Sequence, residues 1–247
     1  MDADNQTEAQ EPATPPREPM FNLPVVVVAL IVVCAAIHLV RVYLLTSRQD
    51  LDVLVYAAFI PIRYSGQFAL DISAFTSPFT YAFLHGSIAH LAVNMIWLAA
   101  FGSPLANRLG VARFLLFWAL TSLAAAGLHY GLHSLDQAPL VGASGAISGM
   151  MGAAARFAFR IDRSAGKPMF AGTPLPIRLV FRSRATMTFL GVWMVINLVT
   201  GLVGFGSMGG DSIAWEAHIG GFLAGFFGIG AIDRLRKPEF VDEPEAD

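Results

Sequence analysis

Cysteine is almost missing from this chain: Cys34, inside an apolar run, is the only one in 247 residues. That excludes an intramolecular disulfide and leaves the redox compartment unreadable from thiols, and Cys34 itself reads as a small buried hydrophobe. Charge is scarce as well, at 14% of residues, and the net charge of −2 supplies no basic field. No nucleic-acid partner is therefore expected. The start of the chain has neither the basic opening and short apolar core of a secretory signal nor the Arg-rich, acid-poor character of a mitochondrial presequence. No internal repeat is visible, so a transporter of the inverted-repeat kind gains no support.

What is present is apolar surface. Hydrophobic residues make up 55% of the chain, and its mean hydropathy is positive, too apolar for a water-soluble domain of this length. The lipid bilayer is the expected environment. Residues 1–23 are acidic and Pro-rich and read as a disordered tail. Residues 24–232 read as one membrane domain, and 233–247 as a second tail. Apolar stretches near the ~20 residues that cross a hydrocarbon core lie at roughly 24–46, 79–101, 110–131, 143–160, 186–204 and 214–232. Backbone polar groups in lipid must be paired internally, so the spans are expected to be helices. The fold class is thus an all-α membrane protein with a bundle of six transmembrane helices.

Six spans put both termini on one side. That side holds Arg17, Arg108, Arg113, Arg156, Arg160, Arg163, Lys167, Arg178, Arg182, Arg184, Arg234, Arg236 and Lys237, which is 13 of the 16 basic residues. Only Arg41, Arg48 and Arg63 fall on the other, so both termini are expected in the cytoplasm. The 47–78 loop is long enough to rest on the outer membrane face. The basic 161–185 loop, around its Pro-Leu-Pro-Ile run, is suited to anionic lipid on the inner face.

Polar side chains inside spans are costly and need a reason. They are His38, His85, His90, Asn94, Ser144, Ser148, Asn197 and His218, with Glu216 near a span's outer end and expected to face solvent. His90 and Asn94, four apart, share a helix face, while His85 falls at the helix entrance. A single such residue can serve only to join two helices. Gly142-Ala143-Ser144-Gly145 places a serine where a span begins, beside the unpaired backbone N–H groups of a first helical turn, a setting for a developing anion. Gly145, Gly149 and Ala153 form a small-residue seam. Gly221 and Gly225 put His218 on the closely approachable face of the last span. A histidine within reach of a serine can take its proton and return it to a leaving amine. No acidic residue occupies the middle of a span to orient that histidine, which favours a dyad over a triad. The His85/His90 spacing does not fit a zincin.

Together, His85-x4-His90-x3-Asn94, Gly142-Ala143-Ser144-Gly145 and Ala217-His218-Ile219-Gly220 resemble the three signatures of rhomboid intramembrane serine proteases, in order and in span position, over roughly 60–232. The resemblance implies Ser144 as nucleophile and His218 as base. It implies His90, Asn94 and the Ser144 N–H as oxyanion hole, with His85, Gly142, Gly145 and Gly221 in support. It also implies transmembrane protein substrates, no metal and no cofactor, and a multi-pass place in a bacterial inner membrane. Two features depart from the family. Ser148 stands where some members stack an aromatic residue on the catalytic histidine, leaving the orientation of His218 to packing or another side chain, and the 47–78 loop has no clear Trp-Arg pair. The alternatives are a catalytically silent relative that binds transmembrane clients, and a channel or haem-binding bundle.

Overall fold

The computed structural model describes residues 23–164, 166–203 and 214–235. The expected tails, apart from Leu23 and residues 233–235, lie outside the described residues. The chain is mostly helical, and a two-residue antiparallel pair, β1 (Ile161–Asp162) with β2 (Met169–Phe170), supplies its strands.

Helix α1 (Val25–Tyr43) follows Pro24, whose carbonyl accepts from the Val27 and Val28 N–H groups. It buries Val26, Val27, Leu30, Cys34 and His38 at helical spacing. Its other face leaves Val28, Val32, Val33 and Leu39 exposed, an apolar surface that water would penalise and lipid would not. The following segment is not an irregular loop. It contains α2 (Ser47–Ala57), opened by a Thr46/Gln49 capping box, then a 3₁₀ turn over Pro61–Tyr64 and α3 (Ile72–Thr80). Helix α2 buries no residue, as expected of a helix lying on a surface. Arg63, rather than a Trp-Arg pair, braces this region: its guanidinium donates to Ser77 Oγ and to the Val55 carbonyl.

The second predicted span is displaced. Residues 79–87 complete α3, form a 3₁₀ turn (Tyr81–Phe83) and lead to Ser87, whose side chain accepts from the His90 N–H at 3.1 Å. That cap starts α4 (Ile88–Trp97), which continues through a π-helical turn (Leu98–Gly102) into α5 (Ser103–Leu109). Gly110, at φ +74°, ends the run and α6 (Val111–Leu132) begins. Val25–Tyr43, Ile88–Leu109 and Val111–Leu132 are each long and apolar enough to cross a membrane.

The remaining helices are α7 (Ser144–Arg156), α8 (Ile177–Val180), α9 (Arg184–Val203) and α10 (Trp215–Arg234). Helix α7 stops at Arg156, short of the expected 160. Helix α10 packs most extensively against α7 and α6, and the α7–α10 contact is backbone on backbone. A Cβ on Gly221 would stand 1.9 Å from the Gly145 carbonyl oxygen, and one on Gly225 would stand 2.0 Å from that of Gly149. The seam on α7 continues through Gly152, where a Cβ would meet the Phe222 carbonyl at 2.4 Å, rather than through Ala153.

At the far end of α7 two arginines are each held by several acceptors. Arg108 donates to both Asp233 carboxylate oxygens at 2.7 Å and to the Phe170 carbonyl at 2.6 Å, and lies over the Phe157 ring. Arg156 donates to the carbonyls of Leu175 and Phe226. The basic loop is thereby folded against the bundle's end, with Phe170 and Val180 buried.

Candidate active site

Four backbone hydrogen bonds set the approach to Ser144. Phe59 and Leu140 exchange N–H···O bonds at 3.2 and 2.8 Å, Ile62 N–H donates to the Asp136 carbonyl at 3.0 Å, and Gly142 N–H donates to the Tyr81 carbonyl at 3.0 Å. The buried Tyr81 hydroxyl reaches across to the Ser122 carbonyl at 2.8 Å, so one residue holds both the entry to α7 and the side of α6. Gly142 has φ +125°, where an L side chain is strained, and a Cβ there would meet the His90 ring at 2.9 Å and Ser144 Oγ at 3.5 Å. Its missing side chain leaves His90 and Ser144 facing the same small space.

Ser144 is the first residue of α7, and Ala143 offers no side-chain cap. The ladder begins with Ile147 N–H donating to the Ala143 carbonyl at 3.0 Å, so the N–H groups of residues 144–146 precede the first helical bond. Ser144 Oγ–H donates to His218 Nε2 at 2.8 Å. The backbone seam described above is what permits this: α7 and α10 approach closely enough for a short side chain on one to reach a ring on the other.

The other nitrogen of that ring is also held. His218 Nδ1–H donates to Asn197 Oδ1 at 2.5 Å. The amide's own orientation is fixed, because Asn197 Nδ2 donates to the Trp193 carbonyl one turn back on α9, at 3.2 Å. With the amide oxygen turned to the ring, Nδ1 carries the proton and Nε2 is left to accept. Trp193 stacks on Phe222 of α10 with ring centroids 4.8 Å apart, holding α9 beside the histidine. Ser144, His218 and Asn197 are thus joined in a chain of three hydrogen-bonded groups, and Asn197, not a residue at position 148, contacts the far side of the His218 ring.

Asn94 is buried, and its Nδ2 has no hydrogen-bond partner among the described residues. The His85 and His90 rings meet edge to face, with centroids 5.2 Å apart. The His85 carbonyl accepts from His38 Nδ1 at 3.1 Å and Arg41 Nη1 at 3.2 Å, and Arg41 in turn pairs with Asp50 of α2 at 2.6 Å. His85 thus stands at the entrance to α4, as its spacing predicts. Glu216 corrects an expectation: it is buried, with only 8% of its surface exposed, and Oε1 lies 2.9 Å from His133 Nε2. A wheel drawn for one helix omits the neighbouring helix that covers this face.

A family model of the rhomboid domain matches residues 73–233. The chain belongs to the rhomboid family. It is accordingly an integral membrane protein. Among curated rhomboids it is 26% identical over 197 residues to the rhomboid protease GlpG of Yersinia pestis (strain Pestoides F) and to that of Yersinia pseudotuberculosis serotype O:3 (strain YPIII), covering 80% of this chain and 59% of each relative. It is 29% identical over 146 residues to the GlpG of Serratia proteamaculans (strain 568), covering 59% of this chain and 44% of the relative. The chain spans less than two thirds of the length of these rhomboid proteases.

Sequence reasoning left several contributors to the site without roles. Asn197 was visible as an intramembrane polar residue, but its partner is 21 positions away on another helix. Tyr81, His38 and Arg41 act on the site through backbone carbonyls, which no side-chain motif records.

Proposed function

We propose that this rhomboid is an intramembrane serine endopeptidase that cleaves membrane-protein substrates in or near their transmembrane segments. The observation that carries the reading is the 2.8 Å hydrogen bond from Ser144 Oγ to His218 Nε2, formed beside unpaired donors. In the reaction, Ser144 Oγ attacks the scissile carbonyl carbon as its proton passes to His218 Nε2. The oxyanion is met by the Ser144 N–H, Asn94 Nδ2 and the His90 ring. Collapse of the tetrahedral intermediate breaks the C–N bond, and the imidazolium gives its proton to the leaving amine, leaving an ester on Ser144. Water, deprotonated by His218, hydrolyses that ester and restores the hydroxyl. Asn197 accepts from Nδ1–H throughout, keeping the imidazole in the useful tautomer.

In the same reading the bundle has six spans: α1, α4 with α5, α6, α7, α9 and α10. Both termini face the cytoplasm and the membrane is the bacterial inner membrane, supported by the basic-residue asymmetry and by likeness to bacterial GlpG proteins. Helix α7 has 13 residues, about 20 Å of helix against a hydrocarbon core of about 30 Å. With its C-terminal Arg156 at the inner surface, Ser144 lies below the outer one. Water then reaches the site from outside, and substrates release their outward-facing part. The chemistry asks for no metal or cofactor.

The test is reaction of the detergent-solubilised protein with a fluorophosphonate probe, followed by location of the modified residue and an assay on a model transmembrane substrate. Labelling at Ser144 with cleavage is expected. A folded protein that neither labels nor cleaves would favour the silent, client-binding alternative.

A further inference from the structure

A second polar cluster lies at the outer end of the α6–α10 contact and takes no part in the reaction above. His129, in the last turn of α6, His133, its C-cap, and Glu216, in the first turn of α10, each place one donor atom within 4.8 Å of the other two. The two histidines are four residues apart, so both project from one side of the helix end, with ring centroids 5.1 Å apart. His133 Nε2 faces Glu216 Oε1 at 2.9 Å, and its Nδ1 faces Asp136 Oδ2 at 3.5 Å.

If this were only a hydrogen-bonded pair, His133 and Glu216 would complete it, and His129 would have no reason to be there. His129 is 8% exposed, and its Nδ1 is buried with no hydrogen-bond partner among the described residues. A buried, unpartnered imidazole nitrogen is costly. Beside a second imidazole and a buried carboxylate, it is a ligand set awaiting a cation.

We propose that His129, His133 and Glu216 bind a divalent metal ion, with zinc the best match to two imidazoles and one carboxylate. A tetrahedral zinc with ligands at 2.0–2.1 Å holds its donor atoms about 3.3 Å apart. On binding, side-chain rotation would close the present separations, within 4.8 Å, to that value. Asp136 Oδ2 lies 3.5 Å from His133 Nδ1, on the side of the ring where a carboxylate commonly supports a metal-bound histidine. His133 keeps 37% of its side-chain surface exposed, which gives the ion a path from solvent and leaves a fourth position for water. The bound ion ties the first turn of α10 to the end of α6, two residues before His218. Under the proteolytic reading it thereby fixes the height of the base, while binding itself does not depend on that reading.

The test is a titration of the full-length, chelator-treated protein in detergent with Zn²⁺, read by competition with a zinc-sensitive dye and by the shift in melting temperature. One zinc per chain and a raised Tm are expected. His133→Gln and Glu216→Gln should each weaken binding at least about tenfold and abolish the Tm shift, while melting near the wild-type temperature without zinc shows that they fold. His218→Ala should still bind, which separates this site from the histidines around Ser144. Absence of stoichiometric zinc on the wild-type protein would overturn the proposal. So would binding that survives both Gln variants, or that disappears in His218→Ala.

Discussion

The two ends of α7 treat polar groups in opposite ways. At the Arg156 end two arginines are each held by several acceptors: Arg108 holds both oxygens of Asp233 and a carbonyl, and Arg156 holds two carbonyls. At the Ser144 end, Asn94 Nδ2 and both His85 ring nitrogens are buried without partners among the described residues, and no side chain caps the first turn of α7. Buried polar groups are normally satisfied, and exceptions ask for a reason. Under the proposed function, the difference separates a region that holds the bundle together from one kept open for a substrate.

The sharpest way to break this contrast is to remove chemistry without touching packing. Ser144→Ala and His218→Ala should each lower turnover of a transmembrane substrate by about 10⁶-fold, with the double variant hardly worse, because the groups act as a unit. Their melting temperatures should stay near wild type. Asn94→Ala and His90→Ala come next, at about 10²–10³-fold in kcat, again with little change in stability. Turnover at the wild-type level in a folded variant would remove that residue from the oxyanion role.

The opposite end should respond in reverse. Arg108→Ala leaves the partly buried Asp233 without its main counter-charge, a loss of up to about 3 kcal/mol, seen as a fall in Tm, while whatever protein remains folded keeps its turnover. Asn197→Ala is expected to be the mildest. Losing one neutral hydrogen bond of about 1 kcal/mol costs roughly fivefold, in kcat and not KM, since Asn197 touches the proposed base and not the substrate. Which end faces outward is tested separately in a Cys34→Ser background. A cysteine at Gln137 should react with an impermeant thiol reagent from outside and one at Ser164 should not, and the reverse pattern would invert the direction of release.

How much of this could be read beforehand depends on whether the information was local. That Ser144 and His218 meet was legible because each sits in its own run of small residues, and both halves of the seam are written in four-residue spacing. The second span was placed too early because Tyr81, Ala82, Phe83 and Leu84 are as apolar as a span. What ends that stretch is a capping serine at position 87, which a hydropathy window averages away. Asn197 was given no role, and Glu216 was misplaced, for a different reason. Each was weighed on its own helix, while its partner, His218 or His133, lies on another. The 47–78 region was recognised as long but not as α2 and α3, since an amphipathic surface helix is neither apolar enough to be a span nor polar enough to be a loop.

The close approach of Gly221 to Gly145 and of Gly225 to Gly149 has a mechanical consequence. Two carbonyl oxygens on α7 fit two vacancies on α10, one turn apart, like the teeth of a ratchet. Between those vacancies the α7 carbonyls would meet filled surface, so sliding is disfavoured except in steps of about 6 Å, the rise of four residues. A step of that size leaves Ser144 and His218 a whole turn out of reach. The hydrogen bond between them is therefore either made or absent, and its length is set by main-chain atoms rather than by the rotamers of the two side chains that form it.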